Sequence, residues 1–269
     1  MAIGHHEFIG DVPRNYDECL GPNIFDFYAR DLAERVAALL PNHLLEIGAG
    51  TGIVTRHLRD RLGPTVEVTA TDLNPPMLTF AQAKFDGEPG IHFTEADAQD
   101  LPFDDNSFDV VACQFVHMFF PDRDKAHAEA ARVLNPGGTY LFSTWSSFAK
   151  NPFAQIVYET LAEVFSGDPP GFYRVPFSLH DPDAMMTELE DAGIGTVQHV
   201  AIDHKRVVPD FLHFARGLVY GNPSIEEVRE RGGNPEEIQA EIAERLRFRF
   251  GREPAPMPLQ AHVFEVTVH

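Results

Sequence analysis

The sequence contains few of the residues on which several classes of protein depend. Only two cysteines, Cys19 and Cys113, occur among 269 residues. Two are too few for a disulfide-rich scaffold or a thiolate metal cluster. Cys113 lies within an apolar run, where a thiol usually packs as a small hydrophobic group. We therefore expect neither a disulfide framework nor a metal site.

Basic residues are also scarce. The chain has 21 Lys and Arg against 41 Asp and Glu, a formal net charge of −20 at pH 7. This excess of negative charge repels phosphate backbones, so nucleic acid is not an expected partner. No apolar run approaches the roughly 18 residues of a membrane helix. Residues Met1–Glu7 lack the basic start and apolar stretch of a signal peptide. We expect a cytoplasmic protein without a membrane span.

The order of the predicted elements indicates an α/β fold. Strand and helix patterns alternate about five times between Leu44 and Thr144, which favours a parallel sheet with right-handed crossovers. Phe108–Phe115 is almost wholly apolar, as expected of a strand covered on both faces. Two later strands, Thr196–Asp203 and His262–Val268, bring the predicted sheet to seven strands.

The segment between those last two strands differs in composition. Residues 205–260 are rich in charge, contain paired glycines and prolines, and carry several aromatic residues. We interpret them as a helical cap inserted into the fold; the alternative is padding at the sheet edge. The chain then divides into an N-terminal lid segment (1–23), a core (24–204 with 261–269) and the cap (205–260).

A glycine-rich turn, Gly48-Ala49-Gly50-Thr51-Gly52, directly follows the strand His43–Ile47. Glycines allow a tight turn from strand to helix and let a ligand approach the backbone. The N-terminus of the next helix adds free amide groups and a positive dipole end. The dinucleotide fingerprint would require glycine at position 53, but Ile53 stands there. The turn alone therefore indicates a ligand site without identifying the ligand.

Two acidic residues follow neighbouring strands. Asp72 closes the second strand, 20 residues beyond Gly52 (72 − 52), where an acid can accept hydrogen bonds from ribose hydroxyls. Asp97 follows the third strand, where its carboxylate can accept a hydrogen bond from an exocyclic amine of adenine. A helix cap at Asp72 and a solvated loop acid at Asp97 are the alternatives. Both lie where open parallel sheets bind ligands, at the carboxyl ends of strands.

Together these blocks resemble the motifs of the class I S-adenosylmethionine-dependent methyltransferases, over about half the chain. The matching runs occur in family order at 44–52, 71–78, 97–103, 107–111 and 132–138. The UbiE-like small-molecule group is the most similar, and segments 113–123 and 176–179 resemble it too. The resemblance implies a Rossmann-like, doubly wound, mostly parallel seven-stranded sheet. It also implies methyl transfer from S-adenosyl-L-methionine, which leaves S-adenosyl-L-homocysteine.

The resemblance further implies roles for individual residues. Gly48 and Gly50, with Ala49 between them, would hold the methionine end of the cofactor, and Glu46 would brace that loop or reach the amino group. Asp72 would hold the ribose. The remaining implied contacts are Leu73 and Met77 beside the adenine, Asp97 and Ala98 at its edge, Gln114 beside the methyl group, and Tyr16 or Tyr28 over the methionine end.

The acceptor is expected to be a small hydrophobic molecule. The 22 phenylalanines, several of them at Phe148–Phe177 and in the cap, suggest an apolar pocket for an aromatic or isoprenoid acceptor, although an ordinary core is the alternative. His117 is the candidate general base, because an imidazole titrates near neutral pH. The alternative for His117 is a ring packed beneath Met118 and Phe119. A homodimer is compatible with the sequence.

Two other functions remain open at this point. A nicotinamide-dependent oxidoreductase could use a similar sheet, although Ile53 and the lack of an obvious Tyr-x-x-x-Lys pair argue against it. A protein that binds the cofactor without transferring the methyl group would carry the same motifs, since these describe the cofactor site.

Overall fold

The computed structural model describes residues 8–269, so the N-terminal heptapeptide and the expectation drawn from it lie outside the described residues. A seven-stranded sheet runs through this part of the chain. Its strands are β1 His43–Ile47, β2 Glu67–Asp72, β3 Ile91–Glu95, β4 Phe108–Gln114, β5 Leu134–Trp145, β6 Gly195–Val208 and β7 Ala255–Val268.

The strand order confirms the predicted fold class. The order is β3-β2-β1-β4-β5-β7-β6, with the first five strands parallel and β7 antiparallel to both of its neighbours. Strand order reverses beside β1, and the crevice outside the strand ends there is where such sheets bind ligands.

Helices connect these strands and cover the sheet. They are α1 Val12–Asn15, α2 Asp26–Ala38, α3 Ile53–Leu62, α4 Pro75–Lys84, α5 Arg123–Val133, α6 Pro152–Val164, α7 Pro182–Ala192, α8 Phe211–Tyr220, α9 Ser224–Glu230 and α10 Pro235–Phe250. A π-helical segment, Tyr16–Phe25, joins α1 to α2. The sequence predicted a helix from Phe25, but the helical chain begins earlier. Pro22, which lacks an amide donor, lies within the wide π-helical turn and obscures the usual periodicity.

Alternating side chains in the central strands enter opposite layers of the core. In β4, Val110 and Ala112 pack with Leu44 on one face, while Val111 and Cys113 pack with Leu45 on the other. This alternation follows from the two-residue period of a strand. A third apolar cluster contains Trp145, Phe153, Phe211 and Phe214 and extends under the helices between β6 and β7.

The last two strands are longer than predicted. Val208 of β6 pairs with Ala255 of β7, so both strands continue into the range expected for the cap. The helices α8–α10 therefore occupy the shorter interval between those paired ends. Pro256 and Pro258 concealed the start of β7, because proline usually argues against a strand. The partner β5 pairs with β7 only from Ala261 onward, so Pro256 and Pro258 lie where β7 has β6 as its single partner strand among the described residues.

Candidate active site

Two adjoining cavities open at the carboxyl ends of β1, β2 and β4. The first, which we call the strand-end cavity, has a volume of about 260 Å³. The second, the aromatic cavity, has a volume of about 80 Å³. Four aromatic residues line both cavities: Phe8, Tyr16, Phe115 and Phe119. Molecules bound in the two cavities would therefore contact the same four side chains.

The structure brings most of the predicted cofactor residues to the strand-end cavity. Its lining includes Tyr16, Gly48, Gly50, Asp72, Leu73, Met77, Asp97, Ala98 and Gln114. Ala49 lines a small adjoining pocket with Gly48, Gly50 and Gln114.

The glycine turn has a backbone that side chains would disturb. Gly48 has a φ of +71°, and a Cβ built there would lie 2.4 Å from Val116 Cγ2. Gly50 has a φ of +56°, and its amide donates to Asp72 Oδ2 at 2.8 Å. The Ala49 amide donates to the Thr71 carbonyl at 2.8 Å. These bonds fasten the turn to the end of β2 and keep a strip of bare backbone facing the cavity.

Asp72 occupies the position expected of a ribose acceptor. Its side chain is 8% exposed, and Oδ1 accepts from the Asn74 amide at 2.8 Å. Burial raises the pKa of Asp72, although hydrogen bonds from Asn74 and Gly50 oppose the rise. Each carboxylate oxygen can accept two hydrogen bonds. Oδ1 also accepts from Asn74 Nδ2 at 3.1 Å and is filled, whereas Oδ2 accepts from Gly50 and keeps one position for a hydroxyl in the cavity.

The residues expected around an adenine all line the strand-end cavity. Met77 is buried, Leu73 is half exposed, and both line the cavity wall with Ala98. Asp97 Oδ1 accepts from the Gln99 amide at 2.9 Å, which orients the carboxylate. Apolar side chains with one carboxylate among them suit a flat heterocycle bearing an amino group.

Glu46 does not line the strand-end cavity. Its carboxylate is buried and accepts from Thr55 Oγ1 of α3 at 2.7 Å, so it joins β1 to the helix that follows the glycine turn. Burial raises the pKa of Glu46 to about 7, with Asp72 adding to the rise and Thr55 opposing it. This geometry favours the bracing alternative among the two predicted roles.

Gln114 has a side-chain oxygen whose capacity to accept hydrogen bonds is not used by the described residues. It ends β4 and lines the cavity beside Gly48, and its Oε1 is buried without a hydrogen-bond partner among the described residues. A buried acceptor without a donor is costly and points to a partner that the protein itself does not supply. A donor group near the glycine turn, such as an ammonium, would satisfy it.

The two tyrosines predicted as alternatives have different positions. Tyr16 is half-buried, stacks on Phe25 at 4.7 Å between ring centroids, and lines both cavities. Tyr28 is buried, and its hydroxyl donates to the Ile202 carbonyl at 3.4 Å. The structure therefore brings Tyr16 to the site and leaves Tyr28 in the supporting core. Burial, with Asp72 and Asp17 adding to it, raises the pKa of Tyr16, which keeps its hydroxyl protonated.

His117 lies in the core and lines neither cavity. Its ring is fully buried, stacks on Phe142 at 3.9 Å, and its Nε2 lies 2.9 Å from the Tyr140 hydroxyl. Burial, reinforced by His127, lowers the pKa of His117 well below its ordinary value. The structure does not place this imidazole where a base would meet an acceptor, and the packing alternative describes it better.

The aromatic cavity contains residues that sequence analysis identified only as a composition bias. Phe153, Phe172 and Phe177, from the phenylalanine-rich stretch, line it with Trp145. The cap contributes Asn222 to the lining, whereas its Phe211 and Phe214 are core residues and its Phe248 is 94% exposed. The expected aromatic wall is therefore present, but the cap phenylalanines do not form it.

Phe115 was not singled out by the sequence. It follows Gln114, has a left-handed backbone with a φ of +57°, and lines both cavities. For a residue with a side chain this conformation costs about 1–2 kcal/mol. The apolar run Phe108–Phe115 gave no signal that its last residue leaves the strand in this way.

Comparison with known proteins gives consistent matches. A family described as a methyltransferase domain matches residues 45–142. The ubiquinone/menaquinone biosynthesis C-methyltransferase of Ectopseudomonas mendocina is 38% identical over 165 residues, covering 59% of this chain and 64% of that protein. The demethylmenaquinone methyltransferase of Thermus thermophilus is 33% identical over 164 residues, covering 57% of this chain and 74% of that protein. The match thus spans less than two thirds of the first of these proteins.

A solved structure shares the fold across nearly the whole chain. The phosphoethanolamine N-methyltransferase 2 of Haemonchus contortus, in complex with S-adenosyl-L-methionine, superposes with a TM-score of 0.61 at 17% identity. The alignment covers 96% of this chain and 57% of that one. Within residues 8–269, no helix has the length and apolar character needed to cross a membrane.

Proposed function

We propose that this chain methylates a small hydrophobic acceptor held in the aromatic cavity. The premise is that the chain belongs to the class I S-adenosylmethionine-dependent methyltransferases and to their UbiE-like small-molecule group. It is a methyltransferase, and its cofactor is S-adenosyl-L-methionine. The acceptor class and the residue roles that follow are our proposal.

The strand-end cavity fits this cofactor. Val116 leaves no room for a Cβ at Gly48, Asp72 offers one acceptor position for a ribose hydroxyl, and the buried Oε1 of Gln114 lacks a donor among the described residues. In our proposal the glycine turn and Gln114 hold the methionine end, Asp72 holds the ribose, and Leu73, Met77, Asp97 and Ala98 surround the adenine. When bound, the cofactor supplies an activated methyl group on a sulfonium, so the hard chemistry is its own.

The contribution of the protein is to position the acceptor and to exclude water. Aromatic rings dominate the aromatic cavity, and its Tyr173 and Asn222 already bond to each other and to the Leu218 carbonyl. An apolar ring or chain would therefore be held mainly by burial and by stacking. Alignment of a nucleophile with a leaving group can contribute roughly 7–11 kcal/mol to lowering a barrier. The proposal assigns no protein base, since His117 lies in the core.

The N-terminal segment (residues 8–25) serves as the lid in this proposal. The Phe8 amide donates to Asn74 Oδ1 at 3.4 Å, and Lys84 Nζ bridges Asp17 at 2.7 Å to the Thr51 carbonyl at 2.9 Å. Tyr16, between these two ties, lines both cavities. Closing the site in this way would exclude water from the reacting groups.

One observation carries the proposal: an aromatic cavity shares the wall of Tyr16, Phe115 and Phe119 with a cavity that fits the cofactor. The names of the relatives add a specific candidate. Because those proteins act in ubiquinone and menaquinone biosynthesis, a reduced quinone bearing an isoprenoid chain is the first acceptor to test.

The experiment supplies the purified chain with methyl-labelled cofactor and a panel of acceptors. The panel contains demethylmenaquinol with a short isoprenoid chain, 1,4-naphthohydroquinone, phosphoethanolamine and a cell extract. We expect label in the lipid-soluble products. Label only in polar metabolites or proteins would overturn the acceptor class.

Two further outcomes separate the alternative functions. Tight binding of S-adenosylhomocysteine by calorimetry without transferred label would favour a cofactor-binding protein that does not methylate. Membership of the methyltransferase family argues against a nicotinamide oxidoreductase, and calorimetry with NAD provides the direct check.

A further inference from the structure

The wall between the two cavities contains one residue in an unusual conformation. Phe115 is the first residue after β4, it follows the cofactor-facing Gln114, and it has a φ of +57°. Its amide donates to the Ser143 carbonyl at 3.0 Å, which ties this backbone to β5. Glycine adopts such a backbone more readily than phenylalanine does, and strained residues persist where the surrounding structure determines them. The presence of a large side chain here points to a use for the ring.

The Phe115 ring is held in a fixed plane. It lies parallel to the Trp145 ring, with 3.9 Å between centroids and 3° between planes. The buried Tyr28 meets both rings edge-on, at 5.6 Å from Phe115 and 5.5 Å from Trp145. Edge-to-face contacts of this kind are favourable, so the three rings support one another. Tyr28, one of the two tyrosines predicted as alternatives for contact with the cofactor, packs against Phe115 instead.

We propose that Phe115 is a specificity-determining residue that selects planar acceptors over non-planar ones of the same size. This inference rests on the proposed function, because it concerns the acceptor of the same site. One face of the ring is occupied by Trp145, and the residue lines both cavities. A flat aromatic acceptor can stack on such a surface or meet its edge, whereas a saturated ring of equal volume gains only burial.

The chain offers a direct reporter for this contact. Trp145 is the only tryptophan, so all tryptophan emission comes from the residue that stacks on Phe115. The planar probe is 1,4-naphthoquinone, which quenches tryptophan, and the saturated competitor is 1-decalone. Both titrations use the full chain with saturating S-adenosylhomocysteine.

The variants distinguish an effect of the flat shape of the Phe115 ring from an effect of its volume. We expect Phe115→Leu to weaken binding of 1,4-naphthoquinone by about 3- to 10-fold, the range of an aromatic contact, and to change competition by 1-decalone less than twofold. Phe115→Tyr keeps the ring and should bind both probes as the wild type does. Phe103→Leu, which alters a ring that pairs with Phe108 and lines neither cavity, should also leave both affinities unchanged.

Several results would overturn the inference. Equal naphthoquinone affinity in wild type and Phe115→Leu would do so, as would an equal loss for both probes, which would indicate volume alone. Absence of saturable quenching in the wild type would also reject it. None of these results bears on methyl transfer, which the labelling assay measures separately. Thermal unfolding followed by circular dichroism shows whether the Leu variant retains its fold.

Discussion

The two cavities are built in different ways from the same chain. The strand-end cavity uses residues at successive strand ends and in the turns that follow them, so most of its lining comes from residues 47–121. The aromatic cavity uses large side chains from 8–25, 115–119, 145–177 and 222. A site made of turns between neighbouring strands leaves ordered motifs in the sequence. A site made by packing of distant side chains leaves only a composition bias.

The largest effect that would test this contrast comes from the glycine turn. We expect Gly48→Ala to weaken binding of S-adenosylhomocysteine at least 100-fold, because the added Cβ would meet Val116 at 2.4 Å on a left-handed backbone. Calorimetry measures the affinity. Gly63→Ala is the matched control, since Gly63 has a φ of +75° but nothing within 4 Å of its Cβ position. If the two variants lost affinity equally, the crowding argument would fail.

A smaller effect is expected from the ribose position. Asp72→Asn keeps the shape of the side chain but removes its charge, and a hydrogen bond to a charged group contributes about 1.5–3 kcal/mol. We expect a 10- to 100-fold loss of S-adenosylhomocysteine affinity by calorimetry. Asp109→Asn serves as the control, since Asp109 accepts from the Asn42 and His43 amides, away from both cavities. Unchanged affinity in the Asp72 variant would remove this residue from the proposed site.

A substitution at His117 tests whether this residue acts as a general base toward the acceptor. We expect His117→Gln to cost about 1–3 kcal/mol of stability through lost partners, while turnover with saturating acceptor stays within about threefold. The folded-state pKa of His117 is lowered by burial, so the unfolded chain binds more protons below about pH 6.5. The wild type therefore loses stability as the pH falls, and the gap between the two proteins should narrow from pH 7.5 to pH 5.5.

Urea denaturation at the two pH values measures that gap. A 100-fold loss of turnover in a well-folded His117→Gln protein, with one limb of the pH–rate profile removed, would restore the role of base.

The smallest effect concerns Lys84, which links Asp17 of the N-terminal segment to Thr51 of the glycine turn. Lys84→Met removes the bridge from the Asp17 carboxylate to the Thr51 carbonyl, a partly exposed contact of about 0–1 kcal/mol. We expect cofactor affinity to fall two- to fivefold and the difference to shrink at high salt. Arg35→Met, which breaks the Arg35–Asp31 pair within α2, is the control. A salt-independent loss would show that the ion pair is not responsible.

Sequence reasoning predicted the fold, and most of the residues that it assigned to the cofactor line one cavity, because both depend on local rules. The strand His43–Ile47 and the helix Ile53–Leu62 have the predicted bounds, since a turn of glycines separates a short apolar run from a periodic one. It did not find Phe115 or the extension of β7. The left-handed backbone at Phe115 and the prolines in β7 depend on tertiary contacts with β5 and β6. His117 was ambiguous because one histidine gives no sign of which layer it faces.

The pairing of Val208 with Ala255 marks a place where the segment between β6 and β7 can vary. The chain leaves the sheet and returns to it at adjacent positions, so the cost of closing the intervening loop changes slowly with its length. Helices α8–α10 lie between these paired strand ends, and Asn222 of the same segment lines the aromatic cavity. Insertions of other lengths could be grafted there without altering the register of β1, β2 or β4. The fold can therefore change what borders the aromatic cavity at this one point, provided that the new segment fills the core positions of Phe211 and Phe214.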